Sequence, residues 1–241
     1  MKTFFFFASL LAFSLYSCQE EMTTELLLEK AINAHGGLEA WQNISEITYE
    51  KTSVLLDSLG NTESSITKTY RTVFTPEFLT EMQWETDSTS YRAILKDDEL
   101  IVSMSDSITP DQTVQDTYKK ELLGAHYVYW QPYNLLEEDA VKKYTGVESL
   151  HNEDTHVLKV TYLNSSNNNI WWYFFDKETY LVRATMVQHG NTYSLIENNV
   201  YETKSGLSLN LERSSYRINK ARKKQFLRAQ YVYKLLDIRH K

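Results

Sequence analysis

The chain has 241 residues, of which 42% are hydrophobic and 24% charged, the composition of an ordinary soluble protein. Its formal net charge of −7 argues against nucleic-acid binding, and against attraction to anionic lipid head groups through the general field of the molecule. Because only three prolines and seven glycines occur, the chain offers neither a Pro/Gly linker nor a Gly-rich phosphate loop, and we predict one domain.

The first seventeen residues have the pattern of a secretory signal peptide. Lys2 gives a short positive start, and the mostly apolar run Phe4–Leu15 follows it. As a helix this run would be about 18 Å long, too short for the ~30 Å hydrocarbon core of a membrane. We therefore predict that residues 1–17 are a signal peptide and not a membrane span.

Cys18 is the only cysteine of the chain, so no intramolecular disulfide can form. The sequence LYSC that ends at Cys18 resembles the lipobox of bacterial lipoproteins. This resemblance implies that Cys18 carries diacylglycerol and becomes an acylated N-terminus, which would anchor the protein to a membrane. Residues 18–22 are then an acidic tether. Its QEE segment resembles tethers that direct some lipoproteins to the outer-membrane surface, and a merely solvated tether is the alternative.

Two short helices are predicted after the tether. Apolar residues recur at helical spacing from Leu26 to Ala34, after N-cap candidates at Thr23-Thr24. Gly36 follows this helix, and we predict that it has positive φ as part of the C-terminal cap. A second helix, Leu38–Gln42, carries Trp41, so we expect a helical pair laid against a sheet.

From Ile44 onward the apolar pattern changes to a period of two, which predicts a meander of antiparallel strands through Ser105 with one solvated side. The alternation stops near Pro110, and we predict a helix over Asp111–Leu123 followed by a loop through Leu136. Four aromatic residues surround Pro132 in this loop, so the loop must cover something apolar. We predict that Tyr127–Leu136 is a movable apolar cover over the sheet and not a permanent part of its core, with a static plug as the alternative.

Strands resume at Val141, and the sheet centre is predicted at the hairpin of residues 169–187. Alternation places Trp172 and Phe174 on one face of this hairpin and Trp171 and Tyr173 on the other, so both faces should be covered. We predict about eleven strands in all, a number that normally makes a sheet curl or close. The basic turn Ile218–Lys224, with sequence INKARKK, is predicted to be solvated.

The sequence has no familiar motif for catalysis or metal binding. The six histidines show no metal spacing such as HExxH, and there is no GxSxG nucleophile elbow. The one thiol would be consumed by lipidation. The sequence therefore nominates no catalytic site, no metal site and no cofactor.

Three blocks together resemble a family of bacterial envelope lipoproteins related to the LolA/LolB-type lipoprotein carriers. They are AINAHGGLEAWQNISEI (Ala31–Ile47), YWQPYNLLEEDAVKKYTG (Tyr129–Gly146) and WYFFDKETYLVR (Trp172–Arg183). The resemblance implies a mainly β (α+β) domain over residues 23–241. Its single strongly curved antiparallel sheet would form an incomplete barrel, with N-terminal and central helices covering the open side and an apolar cavity between.

The leading hypothesis is a lipid-anchored protein of the outer membrane, on its periplasmic side or at the cell surface, that binds an acyl chain or a lipidated partner. Because a LolA-type carrier is soluble and unlipidated, the anchor at Cys18 fits a LolB-like receptor or a separate binding role. An envelope scaffold with a filled core is the alternative, and an enzyme acting on lipid or glycan is a third reading. The residues predicted to line or cover the cavity are Trp84, Tyr127, Tyr129, Trp130, Trp172, Phe174 and Met186.

Overall fold

A computed structural model describes residues 21–105, 107–109, 111–163 and 169–241. Cys18, the signal peptide and the first residues of the tether lie outside the described residues. Three helices are described: α1 (Thr24–Ala34), α2 (Leu38–Gln42) and α3 (Gln112–Tyr129), the last followed by a 3-10 turn at Tyr133–Leu136. No described helix is both long and apolar enough to cross a membrane.

The described strands form one antiparallel sheet. They are β1 (Ile44–Leu56), β2 (Thr62–Val73), β3 (Leu79–Thr86), β4 (Thr89–Lys96), β5 (Glu99–Met104), β6 (Ser107–Ile108), β7 (Ala140–Leu150), β8 (Glu153–Tyr162), β9 (Ile170–Asp176), β10 (Val182–His189), β11 (Thr192–Glu202), β12 (Leu209–Ile218) and β13 (Lys224–His240). Their order is β6-β5-β4-β3-β2-β1-β13-β12-β11-β10-β9-β8-β7. Every neighbouring pair is consecutive in sequence except β1 and β13, which join the two halves.

The prediction of one large antiparallel sheet that does not close is confirmed, but the predicted number of strands is wrong. The described residues form thirteen strands. The shortest, β6, has two residues, too few for an alternating pattern to be recognised. The two edges, β6 and β7, are consecutive in sequence, so the segment that links them, which contains α3, passes from one edge of the sheet to the other.

Helix α3 reaches both halves of the sheet, and this requires the sheet to curve. Lys119 donates a hydrogen bond to the Asp98 carbonyl at the β4–β5 turn, 2.8 Å away, and the Tyr127 hydroxyl bonds to that of Tyr162 on β8. These two helix residues lie about 12 Å apart along the axis. Strands β4 and β8 are nine positions apart, which in a flat sheet is about 43 Å. The sheet therefore wraps around α3.

The predicted C-terminal end of this helix is also wrong. Sequence patterning ends it at Leu123, before Gly124, whereas the structure continues it to Tyr129. Leu122, Ala125 and Tyr129 are all buried on one side of the helix. Packing of this continuous apolar stripe against the sheet outweighs the cost of one glycine in a helix, about 1 kcal/mol.

Helix α1 begins and ends with recognisable caps. The Thr23 hydroxyl accepts a hydrogen bond from the Leu26 N–H at 3.1 Å, as an N-cap residue does. At the other end the Gly37 N–H bonds to the Ile32 carbonyl at 2.9 Å and the Gly36 N–H to the Asn33 carbonyl at 3.2 Å, the Schellman arrangement. The positive φ predicted for Gly36 is confirmed at +116°.

The two faces of the sheet have different surroundings. We call the face that contacts α1, α2 and α3 the helix face, and the other the opposite face. On β1 to β4 the opposite face is charged and ion-paired: Arg71 binds Glu46 at 2.8 Å, and Arg92 binds Glu81 at 2.7 Å. On β8 to β12 the opposite face carries an apolar cluster that includes Phe174, Met186 and Leu195, and this cluster positions the candidate site.

Candidate functional site

The space between α3 and the helix face is filled with aromatic rings. Tyr129 stacks on Tyr49 of β1 with ring centroids 3.8 Å apart. Trp130 stacks on Phe74 at 4.5 Å and meets Trp41 edge-on at 4.6 Å. Tyr129 and Trp130 are only 2% and 5% exposed. These rings therefore form a packed core.

Trp84 belongs to the same packed core. Its ring lies on β3, 4.9 Å from Tyr118 of α3 and 5.0 Å from Tyr91 of β4. The Lys68 ammonium group lies 4.1 Å above the indole and also bonds to the Glu121 carboxylate at 2.7 Å. Trp84 thus stacks on Tyr91 and makes a cation–π contact with Lys68 within the sheet, and its tilted contact with Tyr118 joins the sheet to the helix.

Tyr127 joins α3 to the far half of the sheet through a chain of hydroxyl groups. Its hydroxyl bonds to those of Tyr162 and Tyr173, and the Gln131 side-chain amide donates to the Tyr173 hydroxyl at 3.1 Å. Burial raises the pKa of Tyr127 and of Tyr173 well above the ordinary value for tyrosine. These phenols therefore stay neutral, and each hydroxyl group can both donate and accept a hydrogen bond.

Side chains alone attach the segment of residues 112–136 to the strands. Within the described residues, no backbone–backbone hydrogen bond joins this segment to the sheet. Its buried rings are nevertheless closely packed, and Leu135 and Asn134 are buried as well. The packing favours the plug over the movable cover.

The opposite face carries a pocket of about 370 Å³ with an apolar floor and a polar rim. Four of its lining residues, one each from β9, β10, β11 and β12, form its floor: Phe174, Met186, Leu195 and Ile218. Sheet register brings them together, because Met186 pairs with Leu195 on one side and with Trp172 on the other. Leu150, at the end of β7, completes the wall. We call this cavity the opposite-face pocket.

Two hairpin ends meet over this pocket. His151 follows β7, and Arg222 lies in the basic turn between β12 and β13. Arg222 forms an ion pair with Glu148, while Glu197 of β11 bonds to both His151 and Lys224, the latter at 2.7 Å. These contacts join strands β7, β11 and β12–β13 at the mouth of the pocket.

Aromatic rings also orient the cations of the mouth. The Arg222 guanidinium lies 5.8 Å from the centre of the Trp172 ring, and the Lys224 ammonium lies 3.8 Å from that of Tyr216. Attraction between a cation and a ring face is worth about 0.5–1 kcal/mol at exposed sites. Residues 219–224 of the basic turn are exposed, as predicted from the sequence, whereas Ile218 is buried in the pocket floor. The turn therefore also borders the pocket.

The structure divides the seven predicted ligand-binding residues between the two faces. Trp84, Tyr127, Tyr129 and Trp130 lie on the helix side. Trp172, Phe174 and Met186 lie together on the opposite face, so the seven do not line one cavity. Sequence reasoning missed the remaining lining residues, which are Ser149, Leu150, His151, Leu195, Ile218, Arg222, Lys223 and Lys224. The alternation of apolar residues along each strand could have placed Leu195 and Ile218 on an apolar face. It could not have shown that they lie beside Met186, because that depends on which strands pair.

The other described depressions have a different character. One of about 840 Å³ is lined by seven residues, all of them polar or charged, between the β7–β8 and β9–β10 turns. Another of about 340 Å³, between α3 and β5, has a mainly polar lining. In the described part of the chain, no group of three or more His, Cys, Asp or Glu side chains could hold a metal ion. A further depression of about 610 Å³, beside α1, has apolar residues such as Leu26 and Val147 in its lining, but it is more open to solvent and is bordered by charged residues. The opposite-face pocket is smaller but more enclosed, and it is the candidate that we consider for an apolar ligand.

Comparison with solved structures identifies the fold. A LolA superfamily protein from Nitrosomonas europaea has a TM-score of 0.57 at 12% identity, with 92% of this chain and 94% of that chain covered. A DUF1329 family protein from Desulfovibrio piger has a TM-score of 0.52 at 9% identity, with 90% and 92% covered. An outer membrane lipoprotein-sorting protein domain from Vibrio parahaemolyticus has a TM-score of 0.52 at 9% identity, with 89% and 91% covered.

No curated protein sequence is similar to this chain at a significant level. The relation to LolA-type proteins predicted from the three sequence blocks is confirmed by these structural neighbours, at the level of the fold. A family model, described as a family of unknown function, matches residues 2–193, well over half of the chain. That match includes Phe174 and Met186 but ends before Leu195 and the basic turn. The chain therefore belongs to the family of unknown function DUF6503, and it has the LolA-type fold.

Proposed function

We propose that this protein is a lipid-anchored lipoprotein of the bacterial cell envelope that binds an apolar chain in the opposite-face pocket. The observation that carries the proposal is the pocket itself, about 370 Å³ with an apolar floor. Small-molecule sites commonly measure about 300–1,000 Å³. The ligand is an acyl chain, either free or attached to a lipidated partner.

Burial of methylene groups would supply the binding energy. Each CH₂ removed from water contributes about 0.8 kcal/mol, before the costs of ordering the chain. Trp172, Phe174 and Met186 would contact the chain. Trp84, Tyr127, Tyr129 and Trp130 would keep a structural role, because they hold α3 on the sheet.

The alternative is an envelope scaffold whose rings are all packed against one another. The filled helix face favours this reading, whereas the pocket on the opposite face favours ligand binding. We propose a binding protein and no catalytic activity.

A substitution in the pocket wall distinguishes ligand binding from the scaffold. Leu150→Asp should weaken binding of a fatty acid by about tenfold or more, because a carboxylate would face the apolar cavity and be desolvated on binding. Leu59→Asp is the matched control, since Leu59 is 85% exposed on the β1–β2 turn. Native mass spectrometry of the purified proteins would measure bound lipid. An equal amount of lipid in both variants, or none in the wild type, would contradict the proposal.

The anchor is proposed at Cys18, in the lipobox-like sequence, with residues 18–22 as the tether to the outer membrane. Supplied with an alkyne fatty acid, cells should label the wild-type protein, and Cys18→Ser should abolish the label, because no other thiol is present to carry the thioether. The label is measured by in-gel fluorescence after the alkyne has been coupled to a fluorophore. An unlabelled wild-type protein would exclude lipidation.

A further inference from the structure

We infer that the basic turn makes the opposite-face pocket selective for a single-chain amphiphile with an anionic head group. This inference rests on the proposed function and specifies its ligand. Arg222, Lys223 and Lys224 all border the mouth of a cavity whose floor is apolar. An apolar chain in the cavity would place its head group beside them.

The mouth has a surplus of positive charge. Its three cations, Arg222, Lys223 and Lys224, face two carboxylates, those of Glu148 and Glu197. Among the described residues, Lys223 has no salt-bridge partner. This local surplus lies in a protein whose formal net charge is −7, so the general field would not attract anions. The mouth of the pocket is therefore a local exception to the negative charge of the whole protein.

The cations are held in position before any ligand binds. Arg222 is fixed by Glu148 and by the Trp172 ring, and Lys224 by Glu197 and by the Tyr216 ring. Cations held in this way lose little further side-chain freedom when an anion arrives, which favours binding. Lys223 is exposed and can move to the head group.

The apolar floor sets the orientation of the ligand. Phe174, Met186, Leu195 and Ile218 line the pocket with apolar side chains, so they offer no ion-pairing or strong hydrogen-bonding group to a head group. The chain must therefore point to the floor and the head group to the basic turn. A ligand with a neutral head would gain only the apolar part of this interaction, and one with a cationic head would be repelled.

The test compares four ligands that share one chain. Calorimetric titration of the chain from Gln19 onward, which includes every described strand and helix, would use dodecanoate, dodecyl phosphate, dodecanol and dodecyltrimethylammonium. We expect both anions to bind more tightly than dodecanol, by roughly three- to tenfold for each side-chain cation that contacts the head group. The cationic amphiphile should bind most weakly. Comparison of the two anions shows whether carboxylate or phosphate is preferred.

Two lysines of the same turn provide a matched pair of variants. Lys223→Gln should weaken dodecanoate binding roughly three- to tenfold and leave dodecanol binding unchanged. Lys220→Gln should change neither, because Lys220 does not line the pocket. Thermal melts of both variants establish that they are folded.

Each failure has its own meaning. Equal affinity for all four amphiphiles, with no effect of Lys223→Gln, would overturn the inference and leave the proposed function standing. Absence of binding for all four, dodecanol included, would overturn the proposed function as well.

Sedimentation with phosphatidylglycerol vesicles tests whether the basic turn binds an anionic membrane surface and not the head group of a single amphiphile. Vesicle binding that depends on Lys223, without discrimination among soluble amphiphiles, would assign the turn to a membrane surface and overturn the inference.

Discussion

Gly36→Val is expected to lower the free energy of unfolding by about 2–4 kcal/mol. Gly36 has a φ of +116°, a conformation that a β-branched residue adopts only at a cost of about 1–3 kcal/mol. A Cβ at this position would also lie 2.7 Å from the Gly206 carbonyl oxygen and 2.7 Å from a methyl carbon of Leu207. Both are fixed, because Leu207 is buried and the Ser208 N–H bonds to the His35 carbonyl at 3.2 Å.

Gly37→Val separates the two causes. Gly37 also has positive φ, +88°, but a Cβ there would meet no atom within 4 Å. Gly37→Val should therefore lower the free energy of unfolding only by the cost of placing valine at a positive φ. For a domain of this size each kcal/mol lowers Tm by about 2–4 °C, so Gly36→Val should melt roughly 4–16 °C below the wild type and clearly below Gly37→Val. Equal melting of all three proteins would refute the close docking of α1 onto the segment before β12.

The general fold could be predicted from the sequence because its signals are local. The alternation of apolar residues predicts the antiparallel sheet, and the hairpin of residues 169–187 shows apolar residues on both faces. In the structure Tyr173 and Phe175 pack with α1 on the helix face, and Phe174 packs with Met186 on the other. Gly36 could be predicted as well, since a glycine just after a helix has one common conformation.

The pocket could not be predicted, because it depends on contacts between segments far apart in sequence. Leu150 and Ile218 lie on strands that are five positions apart in the sheet, and they line one pocket only in the folded chain. Nothing in the sequence INKARKK indicates that Arg222 binds Glu148, 74 residues away. The same limit applies to α3, where burial of Tyr129 against Tyr49 extends the helix beyond Gly124.

The division of the predicted residues between two faces has the same origin. Aromatic composition identifies side chains that must be buried, but it does not say which face of a sheet buries them. Trp130 and Phe174 both belong to the sequence blocks that resemble LolA-type proteins. One packs under α3 and the other forms the pocket floor. Strand pairing, which only the folded chain shows, decides between the two surroundings.

Two adjacent tryptophans offer a direct way to find which face of the sheet binds the acyl chain. Trp171 lies on the helix face, with its ring 5.6 Å from that of Tyr127. Trp172 lies on the opposite face, beside Met186 and under Arg222. A fatty acid brominated in mid-chain quenches only indoles that it touches. Trp171→Phe and Trp172→Phe are therefore matched variants that differ in the face they report.

Titration of the wild type and both variants with this brominated fatty acid is the most direct test of ligand binding on the opposite face. We expect the wild type and Trp171→Phe to be quenched alike, and Trp172→Phe to lose most of the quenching, because the chain lies on the pocket floor beside Trp172. The unbrominated fatty acid should quench none of them. Quenching that survives in Trp172→Phe but is lost in Trp171→Phe would place the acyl chain under α3 and contradict ligand binding on the opposite face.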